Sequence, residues 1–146
     1  MSVRCEDPRV ARIVALFETL MPADTGRLNE VYADDVRFKD PFNEVQGIAA
    51  VQRIFAHMFV ALDEPHFFVR NVIVQGDACF LTWDFIFRFK RFGRALQTIR
   101  GGSHVELDAQ GRITLHRDYW DAAEELYEKL PILGPVMRFL KRRAGR

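Results

Sequence analysis

The sequence has little of what marks a secreted, membrane-spanning or nucleic-acid-binding protein. Its 146 residues include only two cysteines, Cys5 and Cys79, which form neither a disulfide framework nor a zinc-ligand spacing. A formal net charge of +1 gives the whole chain no strong attraction to nucleic acid. The N-terminus has no apolar signal-peptide core, and no apolar run reaches the length of a membrane span. We therefore expect a cytoplasmic protein without a nucleic-acid partner.

Phenylalanine is the abundant residue, with 13 copies in a chain that is 49% hydrophobic and 28% charged. This composition is typical of a globular protein and leaves little room for long disorder. A chain of this length buries about two thirds of its unfolded surface as one domain. We predict one α+β domain over residues 1–130, followed by a basic amphipathic tail over residues 131–146.

Helical patterns dominate the first half of the chain. Asp7 and Pro8 provide the cap and first turn of one helix, and Asp24 caps a second, short one. A third helix follows Gly47, with apolar residues at helical spacing. The sequence therefore predicts three N-terminal helices, with one strand through Phe38 between the second and the third.

Strand patterns dominate the second half, where runs of aromatic and β-branched residues are separated by glycine-containing turns. Four consecutive antiparallel strands are predicted at His66–Gln75, Ala78–Lys90, Leu96–Leu107 and Arg112–Trp120. This order predicts three helices packed on one face of a strongly curved antiparallel sheet.

Two motifs in this order of elements carry a family resemblance. The segment FKDPF begins at Phe38 and the segment HRDYWD begins at His116. With the element order, they resemble the SnoaL-like or ketosteroid-isomerase-like superfamily, also called nuclear transport factor 2-like, over about residues 7 to 121. The resemblance implies a cone-shaped sheet around an internal pocket for a small apolar molecule. It leaves function open, because this fold hosts enzymes, binding modules and assembly domains.

The resemblance also implies three catalytic aspartates. Asp40 falls where ketosteroid isomerases carry their proton-shuttling aspartate. Their oxyanion tyrosine would fall near Leu16 or Phe17 and their second acid near Ser103, so the rest of that site is absent. The segment RDYWD is similar to the RDYFD of limonene-epoxide-hydrolase-like enzymes. Their catalytic aspartate falls on Asp118 and its partner on Asp84.

Strand alternation places His116, Asp118 and Trp120 on one face of the last strand, and the resemblance turns that face into the pocket. Burial in an apolar pocket disfavours the charged form of a carboxylate, which suits general acid or base chemistry near neutral pH. His116 is then a candidate proton-transfer partner. In the alternative, Asp118 pairs with Arg100 or Arg117 and only stabilises the sheet.

The other two aspartates also have structural alternatives. Asp40 precedes Pro41, an arrangement typical of an Asx turn. Asp84 lies between two aromatic residues in a central strand, where a charge costs several kcal/mol unless it is paired or faces a wet cavity. Arg88 or Lys90 would be a sufficient partner for it.

The predicted pocket is mainly aromatic, as small-molecule sites usually are. Its expected lining comprises Phe17, Phe38, Phe55, Phe59, Phe80, Thr82, Ser103, His116 and Trp120. Four histidines, His57, His66, His104 and His116, show no metal-ligand spacing, so we predict neither a metal nor a cofactor.

A second aromatic stripe, formed by Trp83, Phe85, Phe87 and Phe89, is assigned to the outer sheet face. Since helices would cover only the other face, this stripe predicts a homodimer through the outer face. The basic tail is compatible with weak contact to an anionic membrane surface, although docking on its own domain or on a partner is favoured.

These patterns together predict a cofactor-free acid/base enzyme that acts on an apolar ligand as an isomerase, cyclase or epoxide hydrolase. The alternative is a non-catalytic ligand-binding or dimeric assembly module of the same fold.

Overall fold

Helices occupy mainly the N-terminal half of the chain, and long strands follow them. A computed structural model describes residues 5–90, 95–125 and 142. Its helices are α1 (Pro8–Glu18), a 3₁₀ helix (Pro22–Glu30), α2 (Ile48–Ala61) and α3 (Ala122–Glu125). Its strands are β1 (Tyr32–Lys39), β2 (Glu44–Gln46), β3 (Leu62–Gln75), β4 (Ala78–Phe89), β5 (Leu96–Leu107) and β6 (Ile113–Tyr119). The predicted α+β fold is confirmed. The predicted tail lies outside the described residues except for position 142.

The strands form one six-stranded sheet in the order β2-β1-β6-β5-β4-β3. All neighbouring strands are antiparallel except β1 and β6, which run parallel. In that pair Phe38 lies opposite His116 and Lys39 lies opposite Arg117. The carboxyl ends of β1 and β6 therefore meet at one edge of the sheet, where Asp40 follows β1.

Helix α1 begins as its sequence predicts. The Asp7 side chain accepts a hydrogen bond from the backbone N–H of Arg9 at 2.9 Å, and Pro8 occupies the first turn. The Arg9 guanidinium also contacts the Asp77 carboxylate in the turn between β3 and β4, at 2.6 Å. The buried face of α1 consists of Val10, Ile13, Val14 and Phe17. Capping and this ion pair together hold α1 against the sheet. Among the described residues, the helices include no candidate membrane span.

The face assignment predicted for β4 is wrong. Leu81 pairs with Ser103, and Ser103 pairs with Asp118, so these residues share the inner face of the sheet. Trp83 and Phe85 follow Leu81 at alternate positions and are buried as well. Because side chains alternate along a strand, a shift of one residue exchanges the two faces completely.

The aromatic stripe Trp83, Phe85, Phe87 and Phe89 therefore lies inside the molecule. It packs against Phe67 of β3, whose ring centroid is 4.5 Å from that of Phe85 and 5.8 Å from that of Trp83. The stripe was the reason for predicting a homodimer through the outer face, and that reason no longer applies. The homodimer stays a prediction.

Candidate active site

The inner face of the sheet and the helices enclose a cavity of about 520 Å³. Its wall is mainly aromatic, with Phe17, Phe38, Phe42, Phe55, Phe67, Trp83, Phe85, Phe87, Phe89 and Trp120 among the lining residues. A cavity of this size and composition is typical of a site for a small organic molecule.

Most of the residues predicted to line the pocket do so. The cavity wall includes Phe17, Phe38, Phe55, Ser103, His116 and Trp120, as well as the carboxylates Asp40 and Asp118. The prediction is wrong for Phe59, Phe80 and Thr82, which do not line the cavity. Phe59 packs partly buried against the core, and the Phe80 ring lies over Gly102 on the outer sheet face. The Thr82 hydroxyl accepts a hydrogen bond from the Asn71 side chain at 2.8 Å.

Asp84 does not line the cavity either, which corrects its predicted catalytic position. Its carboxylate lies on the outer face and pairs with the Arg70 guanidinium of β3 at 2.8 Å. The charge in this central strand is thus compensated, as the cost of burying it requires. The partner is Arg70 rather than the expected Arg88 or Lys90.

Asp118 is the centre of a hydrogen-bond network in the cavity. Its Oδ1 accepts a hydrogen bond from the Ser103 hydroxyl at 2.5 Å and lies 2.6 Å from Nε2 of His116. Its Oδ2 has no hydrogen-bond partner within the described ranges. The carboxylate therefore has one oxygen fixed by two protein groups and one oxygen available to a ligand.

The structural alternative proposed for Asp118 does not occur. The Arg100 guanidinium instead pairs with the Glu125 carboxylate of α3 at 3.0 Å. The Arg117 guanidinium lies 4.7 Å from the ring centroid of Tyr119. Asp118 is thus held by a serine and a histidine, and neither arginine neutralises it.

Tyr32 orients His116 through Nδ1, the ring nitrogen that does not contact Asp118. Its hydroxyl lies 2.6 Å from Nδ1 of His116, and the two rings are stacked. Burial, with a further contribution from the charge of Asp118, raises the pKa of Tyr32 well above its usual value. Because an ionised carboxylate only accepts hydrogen bonds, the Nε2–H group of His116 is the donor to Asp118. In the neutral imidazole Nδ1 then accepts a hydrogen bond from the Tyr32 phenol.

Trp83 completes the network on the other side. Its indole N–H donates a hydrogen bond to the Ser103 hydroxyl oxygen at 2.8 Å. Since that oxygen already accepts from Trp83, the hydroxyl proton points to Asp118. Two buried aromatic residues thus determine the orientation of the two groups that hold the carboxylate.

Gly101 in β5 provides the space for Trp83. A Cβ atom at Gly101 would lie 2.6 Å from Cη2 of the indole ring. We predict that Gly101→Ala lowers the free energy of unfolding by about 1–3 kcal/mol, because the rigid ring must shift. Urea denaturation checks this, with Gly26→Ala as the control, since a Cβ at Gly26 meets no atom within 4 Å. Equal effects of the two substitutions would contradict the role of Gly101.

Asp40 forms the predicted Asx turn and also lines the cavity. Its Oδ1 accepts hydrogen bonds from the backbone N–H groups of Phe42 and Asn43 at 2.8 and 2.6 Å. The turn leads into β2 and places the Phe42 ring 5.5 Å from the Trp120 ring, between centroids. The bonds within the turn occupy Asp40 more fully than the network occupies Asp118.

The comparisons with known proteins agree with this architecture. A family model described as a SnoaL-like domain matches residues 13–116, which is more than half of the chain. The chain belongs to the SnoaL-like family. No protein with a curated function matches the sequence of this SnoaL-like chain.

Solved structures with 15–18% sequence identity show the same fold. An M. tuberculosis LEH-like epoxide hydrolase has a TM-score of 0.68 at 18% identity, over 91% of this chain and 96% of its own. A protein from Jannaschia sp. CCS1, provisionally assigned as a SnoaL-like polyketide cyclase, has a TM-score of 0.67 at 17% identity, over 84% and 94%. A Catenulispora acidiphila DSM 44928 protein with a ketosteroid isomerase-like fold has a TM-score of 0.69 at 15% identity, over 84% and 92%.

Sequence patterns left several residues of the SnoaL-like cavity and of its hydrogen-bond network unidentified. Tyr32 and Trp83 were missed because their roles depend on contacts between distant strands. The polar residues Arg53 and His57 of α2 also line the cavity. Their spacing of one helical turn was visible in the sequence and could have indicated that they share a face. In the described ranges, no group of three or more side chains is arranged to hold a metal ion.

Proposed function

We propose that this protein is an enzyme that moves protons to and from carbon in a small apolar substrate, with Asp118 as the general acid and base. The observation that carries this proposal is the asymmetry of its carboxylate. Oδ1 is fixed by Ser103 and His116, whereas Oδ2 is available within an apolar cavity. A carboxylate oriented in this way is suited to abstract a proton from a bound carbon acid.

The reaction begins when Oδ2 removes a proton from a carbon next to a carbonyl group, which gives an enolate and a carboxylic acid. In an isomerase the acid returns the proton to a different carbon. In a cyclase the enolate carbon attacks a second carbonyl carbon of the same molecule, and the acid protonates the alkoxide formed. Both sequences regenerate the carboxylate and need no redox partner.

The wall around Asp118 favours substrates whose C–H bond is already acidic. By the resemblance, the oxyanion tyrosine of ketosteroid isomerases would fall near Leu16 or Phe17, which have no hydroxyl group, and the Ser103 hydroxyl already donates its hydrogen bond to Asp118. A carbon between two carbonyl groups needs less stabilisation of its enolate than the carbon next to a lone ketone. The resemblance to the provisionally assigned polyketide cyclase supports the same class. We therefore favour the cyclase over the isomerase.

Epoxide hydrolysis is less well supported, although one structural relative is described as an epoxide hydrolase. The resemblance assigned the second acid of that reaction to Asp84, which pairs with Arg70 on the outer face. Without this second carboxylate, activation of water and protonation of the leaving oxygen would both depend on Asp118.

The test is a substrate panel of aromatic β-diketones, β,γ-unsaturated ketones and aromatic epoxides. We expect ring closure of those β-diketones that carry a third, suitably placed carbonyl group, and we would follow it by absorbance and chromatography. Diol formation from epoxides alone would contradict the proposal. Saturable binding of the ketones without conversion would support the alternative, a non-catalytic binding module.

Asp84→Asn is expected to leave the turnover of this panel unchanged, because the side chain lies outside the cavity. Loss of the ion pair with the exposed Arg70 side chain should change the free energy of unfolding by no more than about 1 kcal/mol. Steady-state rates and urea denaturation check both expectations. A large loss of turnover in a folded Asp84→Asn variant would contradict this expectation and indicate that Asp84 takes part in the reaction.

A further inference from the structure

Helix α2 presents one stripe to the cavity, and that stripe contains two polar residues. Its lining residues are Ala50, Arg53, Ile54, His57, Met58 and Ala61, which follow helical spacing along one face. Arg53 and His57 are one turn apart, so their Cβ atoms are about 6 Å from each other. Both are exposed, which places them at the open side of the cavity.

The charge of Arg53 is not compensated by the carboxylates of the cavity. Neither Arg53 nor His57 has a hydrogen-bond or ion-pair partner among the described residues. Asp40 accepts its hydrogen bonds from Phe42 and Asn43 within the turn. Asp118 is held by Ser103 and His116. A cation at the rim of an apolar cavity is thus available to a ligand.

We infer that Arg53, assisted by His57, forms a subsite for an anionic group on an otherwise apolar ligand. The planar guanidinium binds a carboxylate or a sulfonate through two parallel hydrogen bonds, and an imidazole N–H adds a third donor. The preferred ligand would therefore have an aromatic body within the cavity and an acidic group at α2. This inference rests on the proposed function only in one respect, since it assumes that the same cavity binds the substrate.

The subsite would also orient the substrate. With the acidic group held at the exposed rim, the apolar part extends inward to the buried residues around Asp118, whose neighbours Ser103 and His116 are each 4% exposed. An acidic group at that depth would instead lie beside the Asp118 carboxylate, which repels it. The two ends of the cavity thus favour one direction of binding.

The test uses two fluorescent probes that share an aromatic body, anilinonaphthalene sulfonate and the uncharged phenylnaphthylamine. We expect Arg53→Gln to weaken binding of the sulfonate about three- to fivefold, as for a solvent-exposed ion pair, and to leave binding of the uncharged probe unchanged. Arg53→Lys should retain part of the preference. Arg112→Gln is the matched control, because it removes the same charge from an exposed position that lines no described cavity.

Three outcomes would overturn the subsite alone. One is equal weakening of both probes in Arg53→Gln. Another is the same loss in Arg112→Gln, which would indicate a general effect of net charge. The third is binding of the uncharged probe as tightly as the sulfonate, which would leave the apolar cavity and the proposed function intact. If neither probe binds, both the subsite and the proposed small-molecule function are contradicted.

Discussion

Asp118→Asn is expected to reduce turnover of a productive diketone by about three orders of magnitude, within the range that general acid–base catalysis contributes. The asparagine side chain has nearly the same volume, and its carbonyl oxygen can still accept hydrogen bonds from Ser103 and His116. It lacks a basic oxygen to take the proton. The values of kcat and KM for the purified variant measure the effect, and thermal denaturation shows whether the fold is retained.

Asp84→Asn is the matched control for this prediction, because it makes the same chemical change in a neighbouring strand but on the outer face. Of these two variants, only Asp118→Asn should lose activity. A folded Asp118→Asn protein with full turnover would exclude Asp118 as the proton-transfer group.

Phe17→Ala is expected to give a large loss of stability, about 3–5 kcal/mol in the free energy of unfolding, as for other large aromatic truncations in a core. Phe17 is 8% exposed. Its ring centroid lies 5.9–6.3 Å from those of Tyr32, Phe55, Phe67 and His116. Truncation therefore removes the contact between α1 and the aromatic wall of the cavity. Urea denaturation measures the loss.

Phe42→Ala provides the comparison for this truncation. Phe42 also lines the cavity but is 53% exposed, so its removal should cost less than about 1 kcal/mol. If the two substitutions were equally costly, the central position of Phe17 in the packing would be contradicted.

Local patterns were sufficient to predict most of the elements. The strand predicted at Leu96–Leu107 has the same bounds in the structure, because alternating residues and flanking turns mark both ends. The pocket-facing side of β6 was also predicted correctly, with His116, Asp118 and Trp120 on the cavity wall. That assignment depended on the family resemblance, since alternation alone separates two faces without saying which one is inside.

The wrong face assignment in β4 arose because alternation alone does not say which face of a strand lies inside. Its inner face contains Trp83 and Phe85, but its outer face also contains large apolar residues, Phe80 and Ile86. Hydrophobicity alone therefore does not distinguish the two faces. Pairing decides the matter, because Leu81 lies opposite Ser103, and that pairing is not visible within either strand.

The hydrogen-bond network was beyond the reach of local patterns for a related reason. Tyr32 and His116 are 84 positions apart in the chain, and they meet because β1 and β6 pair in parallel. Residue spacing predicts which side chains share a face of one element. It does not predict which distant strand becomes its neighbour.

The most direct test of the proposed chemistry is solvent deuterium exchange at the acidic carbon of an aromatic β-diketone, followed by proton NMR. After subtraction of the rate in buffer alone, the wild type and Asp84→Asn are predicted to accelerate the exchange, whereas Asp118→Asn is not. The proposed role of Asp118 is contradicted if the wild type gives no acceleration, or if Asp118→Asn gives the same acceleration as the wild type.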